Sequence, residues 1–168
     1  MFDVSSFREP PIVERVADLT EVRLMAQELI AIHLRHAPDS WTFRFDNAKK
    51  RGGLCNHTTH TISMSKYLCE LWPLDECEQV MLHEIAHALA PKHHRHSQEW
   101  FDIAVSIGYT GGITHRNEIA THRATWVGRC PAGHEYHRFR KPYHRKESCP
   151  KCHRGYSDRH RIVWEFRG

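Results

Sequence analysis

No run of about 18 apolar residues occurs in this 168-residue chain, so no segment is expected to span a membrane. Residues 1–11 lack the apolar core of a signal peptide, and a reducing, cytoplasmic setting is the expectation. A disulfide framework is missing too. Of the six Cys, Cys55, Cys69 and Cys77 are scattered and read as plain buried or half-buried thiols. Cys130, Cys149 and Cys152 cluster, and in a reducing setting they read as metal ligands. Acidic residues are scarce in one region: residues 123–168 hold 4 Asp+Glu against 12 Lys+Arg, a net of +8. Residues 1–122 hold 16 Asp+Glu against 12 Lys+Arg. A basic module on a mildly acidic body points to a polyanionic partner, nucleic acid first. The same basic region is poor in aliphatic residues, so hydrophobic burial alone cannot fold it.

The motif that organises the chain is His83-Glu84-Ile85-Ala86-His87. Residues four apart on a helix share a face, so His83 and His87 can hold one Zn²⁺. Glu84 projects beside the metal, where it can take a proton from a water held there. Sixteen His in the chain make a chance match less improbable than usual. The context opposes chance: Val80, Met81, Leu82, Ile85, Ala86, Ala88 and Leu89 give the segment the composition of a buried helix.

Around this motif the pattern predicts an N-terminal arm over residues 1–17. A helix capped by Asp18 or Thr20 then runs to about His36, where Ala37-Pro38 stops it. His33 and His36 read as ordinary helix residues. Trp41–Phe45, Leu54–Asn56 and Thr59–Met64 read as strands of a small antiparallel sheet, with a basic turn at Asn47–Gly53. Ser65 is expected to cap a short helix to about Leu71, with Tyr67, Leu68 and Leu71 inward. Asp75, with Glu78 three residues on, is expected to cap the motif helix, and Pro91 to end it. Ser97 can cap a last helix to about Ile107, with Gly108 as its stop and Trp100, Phe101, Ala104 and Ile107 as its buried stripe.

A catalytic zinc takes three protein ligands and keeps one open position. His93, His94, His96 and Glu99 are candidates for the third. His96 stands at a helix start and has a defined direction back toward the motif, so it is chosen, with His93 next. In the basic region, Cys130-Pro131-Ala132-Gly133-His134 and Cys149-Pro150-Lys151-Cys152 form two knuckles suited to a closed structural zinc site. His137 and His153 are alternatives to His134. Thr125–Val127 and Arg161–Phe166 read as flanking strands. Glu135–Lys141 alternates Tyr136 and Phe139 with basic residues. Those aromatics either stack on bases or pack the ribbon.

The run from His83 to Pro91, His96-Ser97-Gln98-Glu99-Trp100 and Ile107-Gly108 resembles the SprT-like metallopeptidase family, which includes Spartan. In that family a third His opens a His-x-x-x-aromatic segment, which His96 and Trp100 match. The resemblance extends upstream through Trp41–Phe45 and Ile62–Ser65 and downstream into a zinc ribbon, covering about residues 18–168. The His-rich loop, and Ser97 where Gly is common, depart from the family pattern. The resemblance implies cleavage of proteins on DNA, including crosslinked ones, as in DNA repair.

Together these readings give an α+β chain. A zincin-like minimal core of helices and a small antiparallel sheet over residues 18–122 is followed by a small β zinc ribbon over 123–168. Two Zn²⁺ are expected. The catalytic one sits on His83, His87 and His96 with Glu84 as base, and the structural one on Cys130, His134, Cys149 and Cys152. The expected partners are protein substrates and DNA, and the chain is expected to act as a monomer. The competing function is a non-enzymatic zinc-containing DNA-binding module.

Overall fold

The computed structural model describes residues 15–91, 96–112, 119–143 and 146–168. Its order is α1 (Leu19–His33), β1 (Thr42–Asp46), β2 (Gly53–Asn56), β3 (Thr61–Ser65), α2 (Lys66–Cys69), α3 (Leu74–Leu89) and α4 (Gln98–Ser106). Then follow β4 (Trp126–Arg129), β5 (Glu135–Arg138) and β6 (Val163–Phe166), so the chain is α+β with two small sheets.

Asp18 caps α1 through a capping box: its carboxylate accepts from Thr20 N, and Glu21 accepts from Asp18 N. The helix ends at His33, earlier than expected, because Leu34 turns inward and Ala37 N–H closes a tight turn on Leu34 O. Ahead of α1, Val16 bridges Pro73 and Ala17 N–H donates to Trp72 O. Residues 1–14 of the N-terminal arm lie outside the described residues.

The first sheet has the order β1-β3-β2 and is mixed, which corrects the expected antiparallel sheet. β2 and β3 form an antiparallel hairpin, whereas β1 runs parallel to β3. The basic turn is therefore a crossover that carries the chain past the place β3 later fills. Asp46 braces it by accepting from Ala48 N, Arg51 and Ser63 Oγ. Ser65 ties down its far side, with Oγ donating to Ala48 O and N–H to Gly52 O.

Ser65 Oγ also accepts from Leu68 N and starts α2. That helix ends at Cys69, and Leu71 is 47% exposed rather than inward. α3 starts at Leu74 with Pro73 as its N-cap, so Asp75 is not the cap. The proline ring presets the φ that this position needs. Asp75 and Glu76 fall inside the first turn, where their charge favours the helix N-terminus. At the other end Ala90 is extended, the conformation a following proline imposes. Ser97 Oγ accepts from Trp100 N and starts α4, with Trp100 and Ala104 buried, Phe101 and Ile107 half-buried, and Gly108 at φ +99° beyond its end.

α3 lies against α1, β2, β3 and α4 and is the central element of the N-terminal part. Its inward residues join Val22, Ala26, Ile62, Met64 and Leu68 in the main core. A second cluster of Leu82, Ala86, Trp100, Ala104 and Tyr109 sits between α3 and α4. The other sheet is antiparallel in the order β5-β4-β6, with Cys130, Cys149 and Ile162 as its small buried centre. Among the described residues no helix is long and apolar enough to cross a membrane.

Candidate metal centres and active site

His83 and His87 lie one turn apart on α3, and His96 reaches them from the residue before the Ser97 cap. The three Nε2 atoms stand 3.3 Å (His83–His87), 3.1 Å (His87–His96) and 3.1 Å (His83–His96) apart. Neutral imidazoles cannot satisfy one another in a closed triangle of this kind, because all three meet through Nε2, and each Nε2 carries either an N–H or a lone pair, never both. Tetrahedral bonds of about 2.05 Å to one zinc put the nitrogens about 3.3 Å apart. The triangle fits that requirement, and the three residues could hold a metal ion. His93 lies outside the described residues.

Trp100 packs against all three imidazoles. Its ring centroid is 4.7 Å from that of His83, 5.1 Å from His87 and 4.8 Å from His96, and the side chain is fully buried. Tyr109 closes another side, 5.6 Å from the His83 ring, with its hydroxyl donating to Gly112 O.

Glu84 is 7% exposed and sits between α3 and β2. Burial raises its carboxyl to about 7; the Cys55 backbone amide, which donates to it, and the charge of Arg51 oppose the rise. Gly53 makes this site possible. A Cβ there would lie 2.6 Å from Glu84 Cγ and 2.7 Å from Oε1, so only glycine lets β2 approach so closely. Sequence reasoning missed Gly53 and the Cys55 amide. The one signal available was a glycine pair at a strand start.

The second group lies at the edge of the C-terminal sheet, where Cys130, His134, Cys149 and Cys152 converge. Cys130 Sγ is 3.8 Å from Cys152 Sγ and 3.6 Å from His134 Nδ1, and Cys149 Sγ is 3.5 Å from the same Nδ1. Zn–S bonds of about 2.3 Å predict about 3.8 Å between sulfurs and about 3.6 Å from sulfur to nitrogen. Each knuckle is shaped by its backbone: Gly133 N–H bonds Cys130 O at φ +81°, and Cys152 N–H bonds Cys149 O. The Tyr136 hydroxyl lies 2.9 Å from Cys149 Sγ. Burial pushes the Cys149 thiol up, but hydrogen bonds from Tyr136, Cys152 and backbone amides outweigh it and bring it to about 6. Those donors are the kind that favour a thiolate over a thiol at this position. His137 pairs with Glu135, and His153 stacks near His160. Neither belongs to the four-residue cluster.

The model of the SprT-like family matches residues 24–125. The chain belongs to this family. The match takes in α3 and α4, with both His83–His87 and His96, and ends at the start of β4. The ribbon of this SprT-like chain therefore rests on its own ligand geometry. No curated protein matches the chain.

Proposed function

We propose that this SprT-like chain is a zinc-dependent metalloendopeptidase that cleaves DNA-associated or DNA-crosslinked proteins, with its basic ribbon contacting nucleic acid. The observation that carries the peptidase reading is a buried carboxylate, Glu84, directly following the first of three convergent imidazoles. A purely structural site has no use for such a group, and leaving it buried costs stability.

His83, His87 and His96 would hold the catalytic zinc, which supplies an acidified water and polarises the scissile carbonyl. Glu84 would accept a proton from the attacking water. From its place beside the imidazoles it would return that proton to the leaving amine. Gly53 and the Cys55 amide hold the carboxylate in place for both transfers. Trp100 keeps the imidazole rings from turning away. Cys130, His134, Cys149 and Cys152 would hold a second, structural zinc that adds to the small hydrophobic core of the ribbon.

The DNA-associated substrate follows from the family and from the net +8 of residues 123–168. Glu84→Gln is the direct test. The variant is expected to keep its zinc and its fold and to lose cleavage of a DNA-bound protein; undiminished cleavage would rule out the peptidase mechanism.

A further inference from the structure

Gln79 precedes His83 by one turn of α3, so it shares the helix face that carries His83 and His87. Its side chain crosses to the turn that follows α4. There Oε1 accepts from Thr110 N at 2.8 Å and from Thr110 Oγ1 at 3.1 Å, and Nε2 donates to Gly108 O at 3.4 Å. One side-chain amide thus grips the chain on both sides of Tyr109.

Tyr109 is fixed at its root and at its tip. Gly108, at φ +99°, takes the left-handed conformation beyond the end of α4 and lets Tyr109 N–H return to Ala104 O at 3.0 Å. At the other end the hydroxyl donates to the backbone carbonyl of Gly112 at 2.8 Å. Gly111 leaves room for that end: a Cβ there would lie 2.4 Å from the hydroxyl oxygen and 2.5 Å from Cζ. The tyrosine is 2% exposed, and its ring lies 5.6 Å from the His83 ring and 6.0 Å from the Trp100 ring. Trp100 itself lies 4.7 Å from His83. His83 is therefore packed by two aromatic rings, and one of them is placed by Gln79.

We infer that Gln79 is a positioning residue of the histidine metal centre: it holds Tyr109 against the His83 imidazole and so keeps that ring turned toward the metal. The inference rests on the metal-centre reading under Proposed function and names a part of the chain that supports it. Ligand rings already held by their neighbours lose less freedom when an ion binds, so such neighbours raise metal affinity. A plain staple between α3 and the turn is the competing role. Against it, all three bonds fall on the two residues that flank Tyr109, and the ring they place packs on a ligand.

The test follows the imidazole nitrogen signals of His83, His87 and His96 by NMR in the zinc-loaded full chain while a competing chelator withdraws the metal. The histidine site is thereby read apart from the cysteine site. Gln79→Ala is expected to weaken zinc there about tenfold and to shift the His83 signal more than those of His87 and His96. Tyr109→Ala is expected to weaken it about 30-fold. The double variant is expected to match Tyr109→Ala alone, whereas independent effects would multiply to about 300-fold. Gln79→Glu keeps an acceptor for Thr110 N and Oγ1 and is expected to bring back the wild-type His83 signal. On a protein substrate, Gln79→Ala is expected to lower kcat about tenfold with KM unchanged. Gln79 is only half-buried, so its alanine variant is expected to fold, and a melting curve checks that.

A lower melting point in Gln79→Ala with wild-type zinc affinity and an unmoved His83 signal would overturn the inference and leave a staple. Multiplied losses in the double variant would overturn it too. A wild type that holds zinc on the three histidines yet cleaves no protein would refute the peptidase reading alone, and the zinc affinities of the variants would still decide the role of Gln79. No zinc on those histidines in the wild type would refute both.

Discussion

Gly53→Ala probes how Glu84 is held without touching any proposed ligand. The added methyl carbon would sit 2.6 Å from Glu84 Cγ and 2.7 Å from Oε1, against an ordinary contact near 3.6 Å. Something must therefore move by about 1 Å. Gly53 is not at positive φ, so alanine adds no backbone strain and the effect is one of packing alone. Overpacking of this kind costs about 1–3 kcal/mol. For a chain of this size that corresponds to a melting point lower by roughly 2–12 °C. A catalytic base displaced by about 1 Å loses up to about 100-fold in rate. Two of the three imidazoles belong to α3 and the third to the residue before the α4 cap, so zinc content is expected to stay at the wild-type level. Calorimetry, elemental analysis and cleavage of a protein substrate measure the three quantities in one preparation. Gly112→Ala is the control, because a Cβ there meets nothing within 4 Å. Full activity and an unchanged melting point in Gly53→Ala would refute the claim that β2 positions the carboxylate.

Protonation of Glu84 links stability to pH in the metal-free protein. Its folded pKa of about 7 lies above the ordinary glutamate value of 4.5, so the folded state binds the proton more tightly than the unfolded state. That contribution is fully present below about pH 4.5 and is lost as pH rises through about 7, up to roughly 3 kcal/mol. Metal-free Glu84→Gln is therefore expected to be more stable than metal-free wild type at pH 8, with the gap shrinking toward pH 5; equal denaturant midpoints at pH 8 would contradict this. Trp100→Ala removes the ring that touches all three imidazoles. It is expected to cost about 3–5 kcal/mol and to weaken metal binding about 10–100-fold, with Trp100→Phe recovering part of both; wild-type zinc affinity in the alanine variant would refute the support role. Cys149→Ser with Cys152→Ser is expected to release one of two zinc equivalents and unfold β4–β6, while the histidine site keeps its metal. Two retained equivalents would remove the ribbon site.

Much of the site was legible because its cues are local. The i, i+4 spacing of His83 and His87 and the proline after Ala90 define the α3 face and its end. The Ser97 cap gave His96 a fixed direction, and the structure brings it to the other two. The two ribbon knuckles could be read from spacing for the same reason. Direction and depth were not local. Alternation in Phe43 and Phe45 marks a strand but says nothing of whether β1 runs parallel to β3. The acids at the start of α3 read as a cap, yet Pro73 took that place. Gly53 read as part of a turn, because its real constraint, Glu84, lies 31 residues on. The bonds from Gln79 to Gly108 and Thr110 likewise exist only once α3 and the turn after α4 are folded together.

Cleavage of a DNA-bound protein by wild type and Glu84→Gln, each with its zinc content measured in the same sample, tests the central claim most directly. Two zinc equivalents in both proteins, with cleavage by the wild type alone, is the predicted result. Equal cleavage by both, or none by a fully loaded wild type, would contradict it.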